Sequence, residues 1–201
     1  MTFPFDEEII LENSFVLLKP LQIYDIDNLL HVATGDKSML QFSPLPVYSE
    51  ELLTRYIEKA ISDRQNKIRY PFSIFDKTRN VFAGSTSFLN ISNVDSRIEI
   101  GATWIGKELQ KTGLNRNVKY LMLSFAFDTL KSDRIEFKTD ERNSTSRTAI
   151  EKIGGQYEGL LRSHTLMYDG FRRNTVCYSI LRDEWVKLKP GFLDLTRQTS
   201  I

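Results

Sequence analysis

Residues 103–129, TWIGKELQKTGLNRNVKYLMLSFAFDT, set the organisation of the chain. They read as the end of a strand, a loop with one inner glycine, and a long apolar helix. Upstream, Arg97 to Ile105 alternates, with Ile98, Ile100, Ala102 and Trp104 expected on one face and Glu99, Gly101, Thr103 and Ile105 on the other. Downstream, Val118, Leu121, Met122 and Phe125 recur at helical spacing, and Tyr120, Leu123 and Phe127 fill a second stripe. A helix apolar on this many sides belongs in the middle of a domain. Between strand and helix lies Gln110-Lys111-Thr112-Gly113-Leu114-Asn115. Gly113 has no side chain to hold off a ligand, and a helix start carries unpaired N–H groups and partial positive charge. Together these make a candidate anion site, most often for phosphate. The same glycine also suits a plain turn, and the loop carries neither GxxxxGK[ST] nor GxGxxG.

Working outward, Tyr70 to Asp76 and Val81 to Leu89 read as strands around the turn 77–80, and Ile98 to Ile105 as the next strand. Three strands with short turns suggest an antiparallel meander. After the long helix, Arg134 to Thr139 reads as a strand, so strand, helix and strand imply a right-handed crossover and parallel pairing. A splayed parallel pair leaves a slot for a ligand chain. A helix from about Thr145 to Lys152 ends at Gly154-Gly155, and Tyr157 to Tyr168 with Phe171 to Leu181 forms a hairpin across Asp169-Gly170. Before the meander come a short strand at Phe15 to Leu18, a helix at Asp25 to Ala33, an irregular segment with Pro44 and Pro46, and a helix capped by Ser49. The fold class is α+β, with one central mixed, twisted sheet flanked by helices. Residues 1–14 read as an N-terminal arm, 15–185 as a single domain and 186–201, with Pro190 and Gly191, as a tail or docked extension.

Composition narrows the function classes. Lysine and arginine number 27 against 26 acidic residues, so the net charge of +1 points to neither nucleic acid nor an anionic membrane as partner. There is no long apolar run and no signal-peptide pattern, and the single Cys177 fits a reducing, cytoplasmic setting. Cys177 lies in an expected strand and suits a small buried hydrophobe better than a nucleophile. His31 and His164 have no metal-like spacing, so no metal is expected.

Trp104-Ile105-Gly106 followed by Gln110 to Asn115 resembles the pyrophosphate-binding motif of the GNAT acyl-CoA N-acyltransferases, written [Q/R]-x-x-G-x-[G/A]. Within that superfamily it resembles the branch that includes the ribosomal-protein N-terminal acetyltransferases. Arg142 to Gly154 is similar to the branch's N-x-x-S-x-x-[AL]-x-x-x-x-G segment, and Tyr178 to Trp185 to its usual ending. Asn115 departs from the small residue of the broad superfamily while agreeing with the branch. The resemblance implies one GNAT-like domain over residues 15–185. It also implies that backbone N–H groups from Gln110, Lys111, Thr112, Gly113, Leu114 and Asn115 hold the pyrophosphate of acetyl-CoA, while Trp104 and Ile105 pair along the pantetheine arm. By carry-over, Asn143 bonds the pantetheine or the loop and Ser146 donates to the leaving thiolate; both types equally suit helix capping. Glu99 is the candidate base, alternatively a salt-bridged residue paired with Arg97 or Lys138. Phe42, Tyr48 and Tyr56 are candidate walls of the acceptor side.

The implied activity is transfer of an acetyl group from acetyl-CoA, as co-substrate, to a primary amine by direct attack in a ternary complex. The acceptor is a small-molecule amine or a peptide amine such as a protein N-terminus. An α-amine, with a reference pKa of about 8, is more often neutral than a lysine amine at about 10.4, which favours it in a site with a single candidate base. The alternative is a catalytically silent CoA-binding or interaction module of the same fold. A monomer and a homodimer are both compatible with the chain.

Overall fold

The computed structural model describes residues 1–197. Eight strands form one sheet: β1 (Leu11–Glu12), β2 (Val16–Pro20), β3 (Arg69–Asp76), β4 (Val81–Ser92), β5 (Arg97–Ile105), β6 (Arg134–Asp140), β7 (Gln156–Leu166) and β8 (Arg172–Leu181). Five α-helices accompany them: α1 (Asp25–Thr34), α2 (Glu50–Gln65), α3 (Leu114–Ser124), α4 (Ser144–Lys152) and α5 (Arg182–Arg197). The strand order is β1-β2-β3-β4-β5-β6-β8-β7. Every neighbouring pair is antiparallel except β5 with β6, as the strand–helix–strand order requires. The parallel pairing covers Arg97↔Arg134, Ile98↔Ile135 and Glu99↔Glu136 and goes no further. From Ile100 onward the β6 side of β5 has no strand partner, which is the expected splay.

Helices cover both faces of the sheet. One core, with Phe72, Phe88, Ile98, Ile100, Met122, Phe137, Tyr178 and Trp185, lies against α3, α4 and α5. A smaller one, with Leu29, Leu53, Ile57 and Trp104, lies under α1 and α2. Ser49 begins α2 as expected: its backbone is extended and its hydroxyl accepts the Leu52 N–H at 3.3 Å. The long apolar helix is α3 followed by a π-helical turn over Phe125–Thr129. The expected tail begins inside α5, which runs through Pro190 and buries Trp185 and Phe192. Trp185 stacks on Phe127 at 5.8 Å, and its indole N–H donates to Asp128. Residues 198–201 of that tail lie outside the described residues.

The alternation expected along β5 does not hold to its end. Ser87 pairs with Gly101 and Ser85 with Trp104, so Thr86 alone faces Ala102 and Thr103. This is a β-bulge, and Ala102 within it has a left-handed φ of +48°. One extra residue inverts the faces beyond it. Trp104 therefore joins the core under α1 and α2, and Ile105 joins Ile98 and Ile100 on the α3 side. Glu99 shares a face with Trp104 instead of opposing it.

Candidate active site

The loop between β5 and α3 is built to present backbone N–H groups. A short 3-10 turn at Lys107–Leu109 follows β5, and the Gln110 amide reaches back to donate to the Ile105 carbonyl at 2.9 Å. Gln110 thus clamps the loop to the strand end. Lys111 and Gly113 both have left-handed φ, +61° and +88°. Successive turns of this kind point neighbouring N–H groups inward, as in an anion nest. Gly113 stands at the N-cap of α3, and no side chain caps that helix. Thr112 spends its hydroxyl on the Leu109 carbonyl at 2.8 Å. The helix start is left with free donors and the positive end of its dipole. Leu114 is buried and anchors the first turn, and Asn115 is half-buried with an unsatisfied Oδ1.

The open edge of β5 leads from this loop to Glu99. That carboxylate is 6% exposed, and its Oε2 accepts from Lys138 Nζ at 2.7 Å and Asn90 Nδ2 at 2.8 Å. The structure therefore contains the ion pair that the sequence offered as Glu99's second role. Oε1 points past Gly101, where a β-carbon would lie 3.2 Å from it. The pair belongs to a ladder across β5, β6 and β7: Lys138 also bonds Glu136, which meets Arg97 and Arg134, and Arg134 meets Glu158. Cys177 on β8 is half-buried, and burial pushes its thiol up, which keeps it protonated and unsuited to attack.

Asn143 caps α4, its Oδ1 accepting the Ser146 N–H at 3.0 Å. Its Nδ2 and the Ser146 hydroxyl make no bond among the described residues, and both residues are half-buried. Capping and ligand contact thus use different atoms of Asn143. The segment between α1 and α2 forms the far lip. Asp36 in it pairs with Lys107 at 2.7 Å, and Lys107 together with Ser38 holds the Asp36 carboxyl down at about 2. The Arg142 guanidinium lies 5.5 Å from the Phe42 ring and 4.1 Å from the Phe171 ring. Arg173 also donates to the Phe42 carbonyl at 2.9 Å. Of the expected wall residues, Phe42 reaches this lip, Tyr48 packs under Lys37, and Tyr56 lies buried edge-on to Trp104. His164 bonds Thr175 and Thr165, and no group of potential metal ligands occurs among the described residues.

Sequence reasoning missed two buried cations beside the bulge, Arg69 and Lys119. Lys119 left a trace, since it stands three and four residues before the apolar Met122 and Leu123 of the same helix. Its amine donates to Thr103 Oγ1 at 2.8 Å, and burial pushes its pKa down to about 7. Arg69 left none, because a basic residue opening a strand looks solvent-facing.

Known proteins share this fold. A GCN5-related N-acetyltransferase from Brucella melitensis superposes with a TM-score of 0.87 at 24% identity, covering 94% of this chain and 85% of that one. A provisionally named acetyltransferase from T. thermophilus gives 0.85 at 28% identity, with 96% and 98% covered. In sequence, the chain is 32% identical over 102 residues to YdaF of Bacillus subtilis (strain 168), which carries a provisional name as a ribosomal N-acetyltransferase. That match spans 51% of this chain and only 55% of the relative's length. No helix among the described residues is long and apolar enough to cross a membrane. The family model described as the acetyltransferase (GNAT) domain matches residues 16–156, from β2 through the nest, the splay and α4 to the start of β7. The chain therefore belongs to the GNAT acetyltransferase family.

Proposed function

We propose that the protein is an acetyl-CoA-dependent N-acetyltransferase that acetylates a primary amine by direct attack in a ternary complex. The observation that carries this reading is the end of β5–β6 pairing at Glu99↔Glu136, with the uncapped start of α3 at the other end of the open edge. A CoA arm needs such an edge for its amides and such a helix start for its pyrophosphate. Of the donors expected from Gln110 to Asn115, the Gln110 N–H is bonded to the Lys107 carbonyl at 3.2 Å, and those of residues 111–115 fit that group: they are backbone N–H groups around two left-handed residues, with no side-chain cap competing. In this reading Trp104 and Ile105 hold the arm through their backbone, and Asn143 Nδ2 holds it from the other side.

Transfer needs a neutral amine and a stabilised leaving thiolate. Glu99 Oε1 is the acceptor left for the amine's proton, directly or through water, while Lys138 and Asn90 orient the carboxylate through Oε2. The Ser146 hydroxyl donates to the thiolate. Cys177, kept as a thiol on β8, has no part, which favours direct attack over an acyl-enzyme. The acceptor enters beside the lip at Phe42 and Arg142. A peptide α-amine agrees with the ribosomal N-acetyltransferase name of the curated relative, and a small-molecule amine serves the same chemistry.

The test is a thermal melt with acetyl-CoA and with free CoA, using ATP as control. A ligand at a hundredfold over its Kd adds about 2.7 kcal/mol, a rise of roughly 5–10 °C for a domain of this size. Such a rise with both CoA species and not with ATP supports the reading. A flat response at millimolar ligand reduces residues 110–115 to a turn. A silent CoA-binding module would show the rise and no thiol release with any amine.

A further inference from the structure

Two basic side chains reach the β5 bulge from opposite faces of the sheet. On the α2 side Arg69 is 4% exposed. Its Nε donates to Ser87 Oγ at 2.7 Å and its Nη2 to the Tyr56 hydroxyl, which donates in turn to the Ala102 carbonyl at 3.4 Å. On the α3 side Lys119 is 7% exposed and donates to Thr103 Oγ1, which lies 2.7 Å from Thr86 Oγ1. Each cation thus touches the bulge, Ala102 and Thr103, through one neutral hydroxyl. Neither forms an ion pair among the described residues.

A buried charge without a counter-charge is disfavoured, and such groups cluster at functional sites. The carboxylate nearest along β5 is Glu99, and Lys138 already claims it. The groups facing Lys119 from β4 and β5 are the hydroxyls of Thr86 and Thr103, and burial alone accounts for its lowered pKa. The charged neighbour one turn back on α3, Arg116, is turned away to the Gly191 carbonyl on α5. The local charge balance at the bulge is therefore positive and unfilled.

We propose that Arg69 and Lys119 are positioning residues that supply the counter-charge for the anion acetyl transfer generates at the bulge, the tetrahedral oxyanion and then the CoA thiolate. This rests on the acetyl-CoA reading above. The step forms the N–C bond to the acetyl carbon and breaks the C–S bond. The sulfur leaves with the electron pair, and the proton lost by the amine goes to Glu99 or water. The two cations lie behind the strand, so they act through Tyr56, Thr103 and the bulge backbone. Hydrogen-bond chains of this kind polarise cooperatively in a low-dielectric interior, and fixed positive charge aimed at a developing anion needs no reorganisation. An amine titrating near neutrality adds a response: an anion formed at the bulge draws a proton onto Lys119, and the two titrate as a coupled pair.

The experiment needs no acceptor. Free CoA is bound to the full chain, and the ionisation of its thiol is followed by the ultraviolet absorbance of the thiolate, in the wild type and in Lys119→Met, Lys119→Arg, Arg69→Met and Arg69→Lys. In the wild type the bound thiol is expected to be at least about tenfold more ionised at a given pH than free CoA, a pKa lower by about one. Lys119→Met and Arg69→Met each return it toward the free value, while Lys119→Arg and Arg69→Lys retain the effect. Should Arg69→Met fail to fold, Lys119→Met with its Arg control decides alone. CoA bound with the same thiol titration in wild type and Lys119→Met overturns this proposal and leaves the acetyl-CoA reading intact. Absence of CoA binding, seen independently in the melt, overturns both.

Discussion

Replacing Lys119 by methionine should stabilise the fold, and by an amount that depends on pH in a predictable way. The side chain is 7% exposed, its one bond is to Thr103, and its amine titrates at about 7 instead of 10.5. Each pH unit of displacement is about 1.36 kcal/mol, so the charged amine disfavours the native state by roughly 3–6 kcal/mol. The sign follows from proton uptake. Between pH 7 and 10.5 the unfolded chain holds a proton that the folded chain does not, so stability rises with pH across that window. Below pH 7 both forms are protonated and the full penalty applies. Methionine fills similar space with no charge, so Lys119→Met is expected to melt roughly 10 °C higher at about pH 6. Its advantage over the wild type should shrink steadily towards about pH 10. Urea unfolding of both proteins at half a dozen pH values from mildly acidic to mildly alkaline gives the difference directly, since every other titrating group is common to the two. A constant offset across that range would refute the idea that burial displaces this amine.

Other variants report on other parts of the site. Gly113→Ala puts a β-carbon on a residue at φ +88° and should cost about 1 kcal/mol in urea unfolding; an undiminished CoA-induced melt shift in this variant would separate the loop from the ligand. Asn143→Ala removes the α4 cap, about 1 kcal/mol, whereas Asn143→Asp keeps the cap and removes only the Nδ2 donor. CoA affinity lost in the Asp variant at wild-type stability would assign that donor to the ligand, and retained affinity would make Asn143 a cap alone. Trp185→Ala should destabilise by about 3–5 kcal/mol, since the indole is 1% exposed and stacked on Phe127; a loss under about 1 kcal/mol would mean that α5 is not part of the cooperative core. Glu99→Gln and Ser146→Ala should abolish or severely slow thiol release with an accepted amine while leaving the acetyl-CoA melt shift in place, and full activity in either would remove that residue from the chemistry.

Features set by local chemistry could be read from the chain. Ser49 caps and Asp169-Gly170 turns because each residue type settles its own backbone. The parallel β5–β6 pair followed from chain order. What escaped depends on neighbours that are remote in sequence. The bulge sits on Ala102, a residue type with no special liking for positive φ, and is imposed by the pairing with β4. With it went the placing of Trp104 and the side of Glu99. Pro190 and Gly191 look like helix breakers, yet α5 continues through them where Phe192 packs beside Tyr120 and Trp185. Packing there outweighs propensity. Arg69 and Arg142 look like ordinary surface cations until Tyr56 and Phe42, from other elements, are folded against them.

The charge ladder on β5, β6 and β7 also bears on how an acceptor arrives. Arg97, Arg134 and Lys138 stand among Asp95, Glu99, Glu136 and Glu158, three cations with four carboxylates, each bonded to the next. Charges interleaved so closely cancel within a Debye length of about 8 Å at physiological salt. This face then projects little long-range field. An acceptor arriving over this face instead of at the Phe42 and Arg142 lip would meet only ordinary diffusion and shape, with kcat/KM for cationic and anionic amines alike changing little between low and physiological ionic strength.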